Sequence, residues 1–224
     1  MNYTFQFGVI LDRLPELLWA SVLTLELAFA GFWLGMPIAL MLAAMRTGGN
    51  RVARGISGAY VTFLTNTPVL VHIYFLYYGL PEMGIVMDKH VAVIIGLITA
   101  TSAYGCEILR AGFASVRVTE IEAAATLGFT RAQQIWHVIV PHIMRTVYPA
   151  LANYFIILTL STSMAMIFGV NELLGTAYNI ASENYRHIEA FTVAAGIYIV
   201  ITFAATLSLA LIGRWVFHVK ARIF

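Results

Sequence analysis

The sequence predicts an all-α integral membrane protein with five membrane-spanning helices. Of the 224 residues, 60% are hydrophobic and 11% are charged, whereas charged residues make up about 25% of an average soluble domain. A transmembrane helix needs about 20 mostly apolar residues to cross a hydrocarbon core about 30 Å thick. Five stretches meet this requirement: 16–45, 55–78, 91–109, 148–170 and 190–217. Their apolar residues run continuously, which excludes the alternating pattern of a membrane β-barrel.

The first apolar stretch is expected to belong to the folded protein. The N-terminal residues lack the basic region, short apolar run and small-residue cleavage site of a secretory signal. We therefore expect residues 1–224 to form a single membrane-embedded domain.

The basic residues predict the orientation of the chain, because Lys and Arg near helix ends are retained in the cytoplasm. Ten of the thirteen fall in three groups, at 46–54, 110–145 and 214–222. The other three are Arg13, Lys89 and Arg186, which lie among acidic residues on the opposite side. The N-terminus is therefore expected outside and the C-terminus inside. The net charge of +2 reflects this topology and gives no indication of nucleic-acid binding.

The connection between the third and fourth spans, residues 114–145, is expected to lie in the cytoplasm and to hold two short helices. Thr119 with Glu122, and Thr130 with Gln133, have the spacing of capping boxes that begin helices. Gly128 stands where a left-handed C-terminal cap is needed, and Pro141 is expected to end the second helix. Helix physics alone leaves two roles open for this unit: it either seals one end of the bundle or binds another protein.

The same residues resemble the EAA loop of bacterial ABC importer permeases. The resemblance is carried by Glu122, Ala123, Ala124, Gly128 and Pro141, with Val138 and Val140 where the family usually has Ile and Leu. It implies a type I importer fold in which the helix containing Glu122 is the coupling helix. It also implies four partners: an ATP-binding subunit that carries ATP and Mg, a second permease subunit, an external substrate-binding protein and an amino-acid-like substrate. The implied location is the bacterial cytoplasmic (inner) membrane.

The chain is not expected to be an enzyme by itself. Lys89 and Lys220 are its two lysines, and neither has the Gly-rich context of a phosphate-binding loop. The ATPase must therefore be a separate chain. We expect no cofactor and no metal site, because His72, His137 and His142 have no recognised ligand spacing.

Three further stretches resemble the polar amino-acid uptake branch of these permeases: 67–71 with 77–81, 103–112, and 160–163 with 169–173. The branch commonly has Arg-Gly where Thr65-Asn66 stand, Gln at His72, and Lys-Asp at the start of the last stretch. The resemblance implies a polar or cationic amino acid, or an opine-like conjugate, as the substrate. A division of labour with a non-identical second permease would explain the missing Lys-Asp pair, and the sequence leaves both an identical and a different partner open.

Polar side chains within the spans are candidates for the substrate path, since such groups are costly in lipid and usually face the bundle interior. The candidates are Glu26, Asn66, Glu107, Ser161, Thr162 and Ser163. All of them except Asn66 have a purely structural alternative. Glu26 could bond to a neighbouring helix, Glu107 could pair with Arg110 one turn away, and the three hydroxyls could bond to carbonyls of the preceding turn.

Two other classes of function remain as alternatives. A secondary transporter or channel subunit would need inverted repeats or a pore signature, and we find no internal repeat. An intramembrane enzyme would need a catalytic motif that the chain lacks.

Overall fold

The computed structural model describes residues 3–217, and every regular element in that range is helical. The helices are α1 (Phe7–Leu11), α2 (Leu14–Gly48), α3 (Arg51–Thr65), α4 (Val69–Tyr74), α5 (Lys89–Ser115), α6 (Val118–Thr126), α7 (Arg131–Gln134), α8 (Val140–Ser161), α9 (Leu173–Asn184) and α10 (His187–Val216). A π-helical turn (Phe75–Gly79) and a 3₁₀ turn (Leu80–Met83) extend α4. A second π-helical turn (Ile135–Ile139) joins α7 to α8, and a 3₁₀ segment (Thr162–Phe168) extends α8.

Within the described residues, four helical rods are long and apolar enough to cross a membrane: α2, α5, the rod Arg131–Phe168 and α10. The pair α3 and Val69–Met83 makes a fifth when it is counted as one bent span. The prediction of an all-helical chain with five apolar spans is therefore confirmed in its coarse form. The boundaries differ from those predicted at two spans.

The second span, predicted for residues 55–78, is broken into two helices and bends by 100° between α3 and α4. Pro68 causes the break: it has no N–H for the helix ladder and disfavours helical backbone at the residue before it. Asn66 ends α3, and Pro68 stands in extended backbone before α4. The break places irregular backbone inside an apolar span.

The fourth span begins earlier than predicted, and the expectation that Pro141 ends a helix is wrong. The helical rod runs from Arg131 through Pro141 to Phe168. The π-helical turn before Val140 changes the hydrogen-bond register. Pro141 consequently stands in the first turn of α8, where a missing N–H is tolerated.

The link between the last two predicted spans contains a helix that sequence reasoning did not predict. Helix α9 begins after Glu172, whose carboxylate accepts a hydrogen bond from the N–H of Gly175. Leu173, Ala177 and Ile180 of α9 are buried in a core cluster that also contains Leu17 of α2. This helix closes one end of the bundle.

Helices α2 and α5 form the tightest pair, because glycines remove the side chains between them. A Cβ atom on Gly31 would lie 2.7 Å from Cβ of Leu97, and one on Gly35 would lie 2.5 Å from Cβ of Thr101. Small residues four apart allow the backbones of membrane helices to approach closely. These two helices carry two of the path candidates, Glu26 on α2 and Glu107 on α5.

Candidate functional site

The short helices between α5 and α8 form a hairpin whose turn depends on Gly128. This residue has φ +81°, a left-handed conformation that favours glycine. The N–H of Gly128 donates to the Ala125 carbonyl (3.0 Å), and the N–H of Phe129 donates to the Ala124 carbonyl (3.1 Å). These two bonds form a Schellman cap. The prediction of a left-handed cap at Gly128 is confirmed.

One of the two predicted capping boxes is present. At the start of α7, the N–H of Thr130 donates to Oε1 of Gln133 (2.8 Å), and the N–H of Gln133 donates to Oγ1 of Thr130 (3.4 Å). The predicted box of Thr119 and Glu122 is wrong. Helix α6 begins at Val118 with Arg117 at its N-cap, so Thr119 lies inside the first turn. A hydroxyl there cannot reach the donors that an N-cap residue satisfies.

The hairpin presents small and apolar side chains on its surface. Glu122 and Ala123 are exposed, whereas Ala124 is buried against the rest of the chain. The exposed large apolar residues of this segment are Val118, Leu127, Phe129, Ile135 and Trp136. Exposed apolar side chains of this kind, surrounded by polar residues, are suited to contact with another protein. Nδ1 of His142 lies 3.2 Å from Oε2 of Glu120, so α6 is tied to the first turn of α8.

Glu26 lies near the middle of α2, on the face opposite the buried one. The buried face carries Thr24, Leu27 and Gly31, whereas Glu26 is exposed, as are Trp19 and Trp33 two turns away on either side. Glu26 takes part in none of the ion pairs formed among residues 3–217. Because Glu26 is exposed, the alternative in which its carboxylate forms a buried hydrogen bond to a neighbouring helix is wrong.

Glu107 is held by two arginines. Its Oε1 accepts from Nη1 of Arg46 at 2.6 Å, and its Oε2 accepts from Nη2 and Nε of Arg110 at 2.7 and 3.0 Å. The intrahelical pair with Arg110 was one of the two alternatives left open by the sequence, and it is present. The contact with Arg46 adds a link from α5 to the end of α2, which the sequence did not indicate.

The hydroxyls of Ser161, Thr162 and Ser163 donate to carbonyls one turn back, at Ile157 (2.8 Å), Thr159 (2.7 Å) and Leu160 (2.7 Å). The structural alternative, in which these hydroxyls bond to carbonyls of the preceding turn, is therefore present for all three residues. The α-helix changes to 3₁₀ geometry at Thr162, which often marks a hinge or strain. The oxygens retain lone pairs that can accept from a solute.

Asn66 is exposed at the bend between α3 and α4, and its side-chain amide donates to the Thr62 carbonyl at 2.8 Å. The hydroxyl of Tyr104 donates to the Thr65 carbonyl at 3.3 Å, so α5 supplies part of the hydrogen bonding that the break removes. Backbone broken inside a membrane span is tolerated where it is buried in protein or lines a water-filled cavity. The bend is therefore a second candidate region for the path.

The structure brings the EAA-type residues Glu122, Ala123, Ala124 and Gly128 together in one hairpin, while Pro141 lies in α8. It does not join the path candidates into one cluster. Glu107 is near the end of α5, Asn66 is at the bend, and Glu26 is on the outer face of α2. Within residues 3–217, no group of three metal-ligating side chains is close enough to hold a metal ion.

Among the buried polar residues, sequence reasoning missed three that can carry charge: His72, Glu172 and Glu189. Glu172, read as part of an acidic outer loop, is fully buried and accepts from the hydroxyls of Tyr198 (2.7 Å) and Thr24 (3.1 Å). Burial raises the pKa of the Glu172 carboxyl. The signal that could have found it is an acidic residue immediately before an apolar helical pattern at 173–181. His72 is buried, with neither ring nitrogen bonded inside the described part of the chain.

Several long apolar rods joined by short helices are typical of a multi-pass membrane protein. The sequence profile of "Binding-protein-dependent transport system inner membrane component" matches residues 12–218. The chain belongs to this family, and it is a permease subunit of an ABC transporter.

Curated relatives span nearly the whole chain. The nopaline transport system permease protein NocM of Agrobacterium fabrum is 33% identical and covers 96% of this chain and 94% of its own length. The probable amino-acid ABC transporter permease protein PatM of Vibrio harveyi is 36% identical, covering 87% and 88%. The glutamine transport system permease protein GlnP of Escherichia coli is 28% identical, covering 94% and 97%.

Two solved structures share the fold. A chain of an amino acid ABC transporter crystallised with histidines superimposes with a TM-score of 0.88 at 30% identity, covering 95% of this chain and 99% of that one. A chain of the MetNI methionine ABC transporter, in an inward-facing conformation, has a TM-score of 0.67 at 16% identity and covers 94% and 98%. The second likeness concerns the fold alone.

Proposed function

We propose that this chain is the translocation subunit of an ATP-driven importer for a polar amino acid. Polar or cationic amino acids are the leading substrates, followed by opine-like conjugates. The observation that carries the proposal is the hairpin of α6 and α7, in which Glu122 and Ala123 are exposed and Gly128 forms the turn. The names of NocM, PatM and GlnP support an amino-acid-like substrate. Membership of the family gives no support to a secondary transporter or channel.

The proposed topology places the N-terminus outside and the C-terminus in the cytoplasm of a bacterial inner membrane. Support comes from the side on which the arginines fall: Arg46, Arg51 and Arg54 are near the junction of α2 and α3, and cytoplasmic connections are rich in such residues. The loop 114–145, which contains α6, then faces the cytoplasm. There it docks on a separate ATPase subunit that holds ATP and Mg.

Closure of two ATPase subunits around ATP would move their docked coupling helices and turn the path outward. Five spans are too few to enclose a solute path, so a second permease subunit completes it and an external binding protein delivers the solute. The left-handed backbone of Gly128 reverses the chain direction between α6 and α7. The contact between His142 and Glu120 would transmit motion of α6 to α8.

The coupling role is tested by co-purification of the ATPase with wild type, Gly128→Asp and Gly84→Asp. Both glycines have a left-handed φ, at +81° and +83°, and neither has an atom within 4 Å of an added Cβ. They differ in position, because Gly84 follows the extension of α4. We expect Gly128→Asp alone to lose the ATPase. No ATPase with wild type would overturn the assignment, and equal loss in both variants would remove Gly128 from the coupling role.

We further propose that the outer face of α2 at Glu26 lines the solute path. A carboxylate that faces lipid at mid-span costs about 2.5–3.5 kcal/mol on insertion scales, so lipid is a poor neighbour for this face. The side chain has no ion-pair partner within residues 3–217 and could receive an ammonium or guanidinium group. Glu107 is assigned a different task, since both its oxygens accept from arginines.

The Glu26 proposal predicts a charge-dependent transport defect. In Glu26→Gln we expect arginine uptake to fall at least about tenfold, equivalent to ~1.4 kcal/mol of lost binding, while glutamine uptake falls less. Uptake of both radiolabelled amino acids into vesicles measures this. Glu82→Gln is the matched control, because Glu82 is exposed in the turn that extends α4. Equal loss for the two substrates, or for the two variants, would contradict the proposal.

A further inference from the structure

A groove of about 350 Å³ lies between α5 and α8, near the end of α5 that carries Glu107 and Arg110. Its walls are small and apolar, with Ala111 and Gly112 on one side and Val147 and Ala150 on the other. The hydroxyl of Thr146, which also lines the groove, is bonded to the His142 carbonyl at 3.0 Å. The polar edge of the groove is therefore Glu107.

This edge carries surplus positive charge. Glu107 is bonded to Arg46 and Arg110, so two guanidinium groups face one carboxylate. Each guanidinium has five N–H donors, and the bonds to Glu107 use one from Arg46 and two from Arg110. The arginine side chains are 25% and 42% exposed. Glu107 thus holds two guanidiniums in place while donors remain available for an anion.

We propose that this groove binds one anionic phospholipid of the cytoplasmic leaflet. One acyl chain lies along the apolar wall formed by Ala111, Gly112 and Ala150, and the phosphate accepts from Arg46 and Arg110. Arginine is suited to phosphate because its planar fork can bind two oxygens at once. Arg110 lies five residues before the end of α5, about 8 Å along the helix, a depth that matches the boundary between headgroups and acyl chains.

Two features favour a lipid over other ligands. A soluble anion would need no apolar wall, and this wall belongs to two rods long and apolar enough to span a membrane. A neutral lipid would leave the surplus charge unpaired, whereas basic pockets between membrane helices on the cytoplasmic side bind anionic headgroups. The leaflet assignment depends on the topology given under the proposed function.

The test is native mass spectrometry of the delipidated complex of this chain with its ATPase, titrated with dioleoyl-phosphatidylglycerol or dioleoyl-phosphatidylcholine. We expect one phosphatidylglycerol per copy of this chain and weaker binding of phosphatidylcholine. Arg110→Gln should weaken phosphatidylglycerol binding about fivefold, and Ala150→Leu should abolish binding of both lipids. Arg51→Gln is the control, since Arg51 is an exposed basic residue on the same side at the start of α3.

Several results would overturn the proposal. Equal loss in Arg110→Gln and Arg51→Gln would indicate general surface attraction, and normal binding in Ala150→Leu would place the acyl chain elsewhere. A crosslink from Ala111→Cys to a second permease subunit would show that protein covers the groove. Retained ATPase in Ala150→Leu reports correct assembly, so loss of the lipid site is distinguishable from failure of the proposed function. If that variant does not assemble, Ala111→Leu fills the groove from the opposite wall.

Discussion

At the residue scale, buried carboxylates connect neighbouring helices through hydrogen bonds. Glu172 receives hydrogen bonds from Thr24 of α2 and Tyr198 of α10 while capping α9. Glu189 accepts from the hydroxyl of Tyr3 (2.5 Å) and from the N–H of Gln6 (3.1 Å), which ties the N-terminal segment to α10. Buried polar groups are tolerated when all their partners are present. Both residues therefore serve the architecture rather than the solute.

The raised pKa of Glu172 predicts a pH dependence of stability. A carboxyl whose pKa is higher in the folded state binds its proton more tightly there. Its stabilising contribution is complete below the unfolded pKa and is lost as pH rises through the folded pKa. Thermal unfolding in detergent between about pH 5 and about pH 8 should show a Tm that falls with pH. Glu172→Gln should flatten this trend, because its amide does not titrate; its oxygen can still accept from the N–H of Gly175, and its NH2 can donate to the Tyr198 hydroxyl oxygen. A wild-type slope in the variant would contradict the prediction.

At the element scale, two segments with non-α hydrogen bonding reshape the spans. The π-helical turn before α8 allows helix to continue through Pro141, and the 3₁₀ segment after Ser161 leads to the left-handed Gly169. Nζ of Lys89 donates to the Gly169 carbonyl at 2.5 Å, so the first residue of α5 secures this turn. Such segments often mark hinges. The rod Arg131–Phe168, which carries both, is the element best suited to transmit motion across the membrane.

The contact between α2 and α5 predicts a packing defect in Gly35→Ala. The added Cβ would lie 2.5 Å from Cβ and 2.8 Å from Cγ2 of Thr101, and overpacking of this kind costs about 1–3 kcal/mol. We expect a lower Tm for the purified complex. Gly58→Ala is the control, because Gly58 of α3 has open space around an added Cβ; its Tm should be unchanged or slightly higher. Equal effects of the two substitutions would mean that the close contact is unimportant.

At the scale of the whole molecule, the chain is a bundle with an exposed α10 and two polar features on its outer surface. Glu26 of α2 is an exposed carboxylate with no ion-pair partner among residues 3–217, whereas the Arg46–Glu107–Arg110 network is internally paired but carries an excess positive charge. Exposed charge of this kind is consistent with membership of the permease family, because its members are components of multi-subunit transporters. The bundle is therefore one component of an assembly.

The proposed topology predicts which positions are accessible from each side. Cys106 is buried and is the single cysteine, so new cysteines can be labelled selectively. Gly84→Cys should react with a membrane-impermeant maleimide in intact spheroplasts, and Ala123→Cys, in exposed α6, should react after permeabilisation. The parent chain is the control for background. The opposite pattern would invert the topology and the leaflet of the proposed lipid site.

Sequence reasoning recovered the features that depend on local pattern and composition. Runs of apolar residues predicted five spans, and residues 3–217 contain four, or five when the bent pair is counted as one. Thr130 with Gln133 predicted a helix start and Gly128 predicted a turn, and both are present. The EAA-type pattern also indicated the family, because its residues lie within one short segment of the chain. Each depends on residues that are close in the chain.

Tertiary structure decided which polar groups are buried, paired or exposed. Glu172 was counted among the acidic residues of the outer side and is buried, whereas Glu26, for which the sequence left a path-lining role and a buried hydrogen bond open, is exposed. The bend before α4 comes from Pro68, but the Thr65 carbonyl beside it is bonded by Tyr104 of α5, and the passage of helix through Pro141 depends on the π-helical turn before it. The physical reason is common to all four: charge and backbone polarity in a membrane are tolerated according to the neighbours that surround them. The order of residues along the chain does not specify which helices become neighbours.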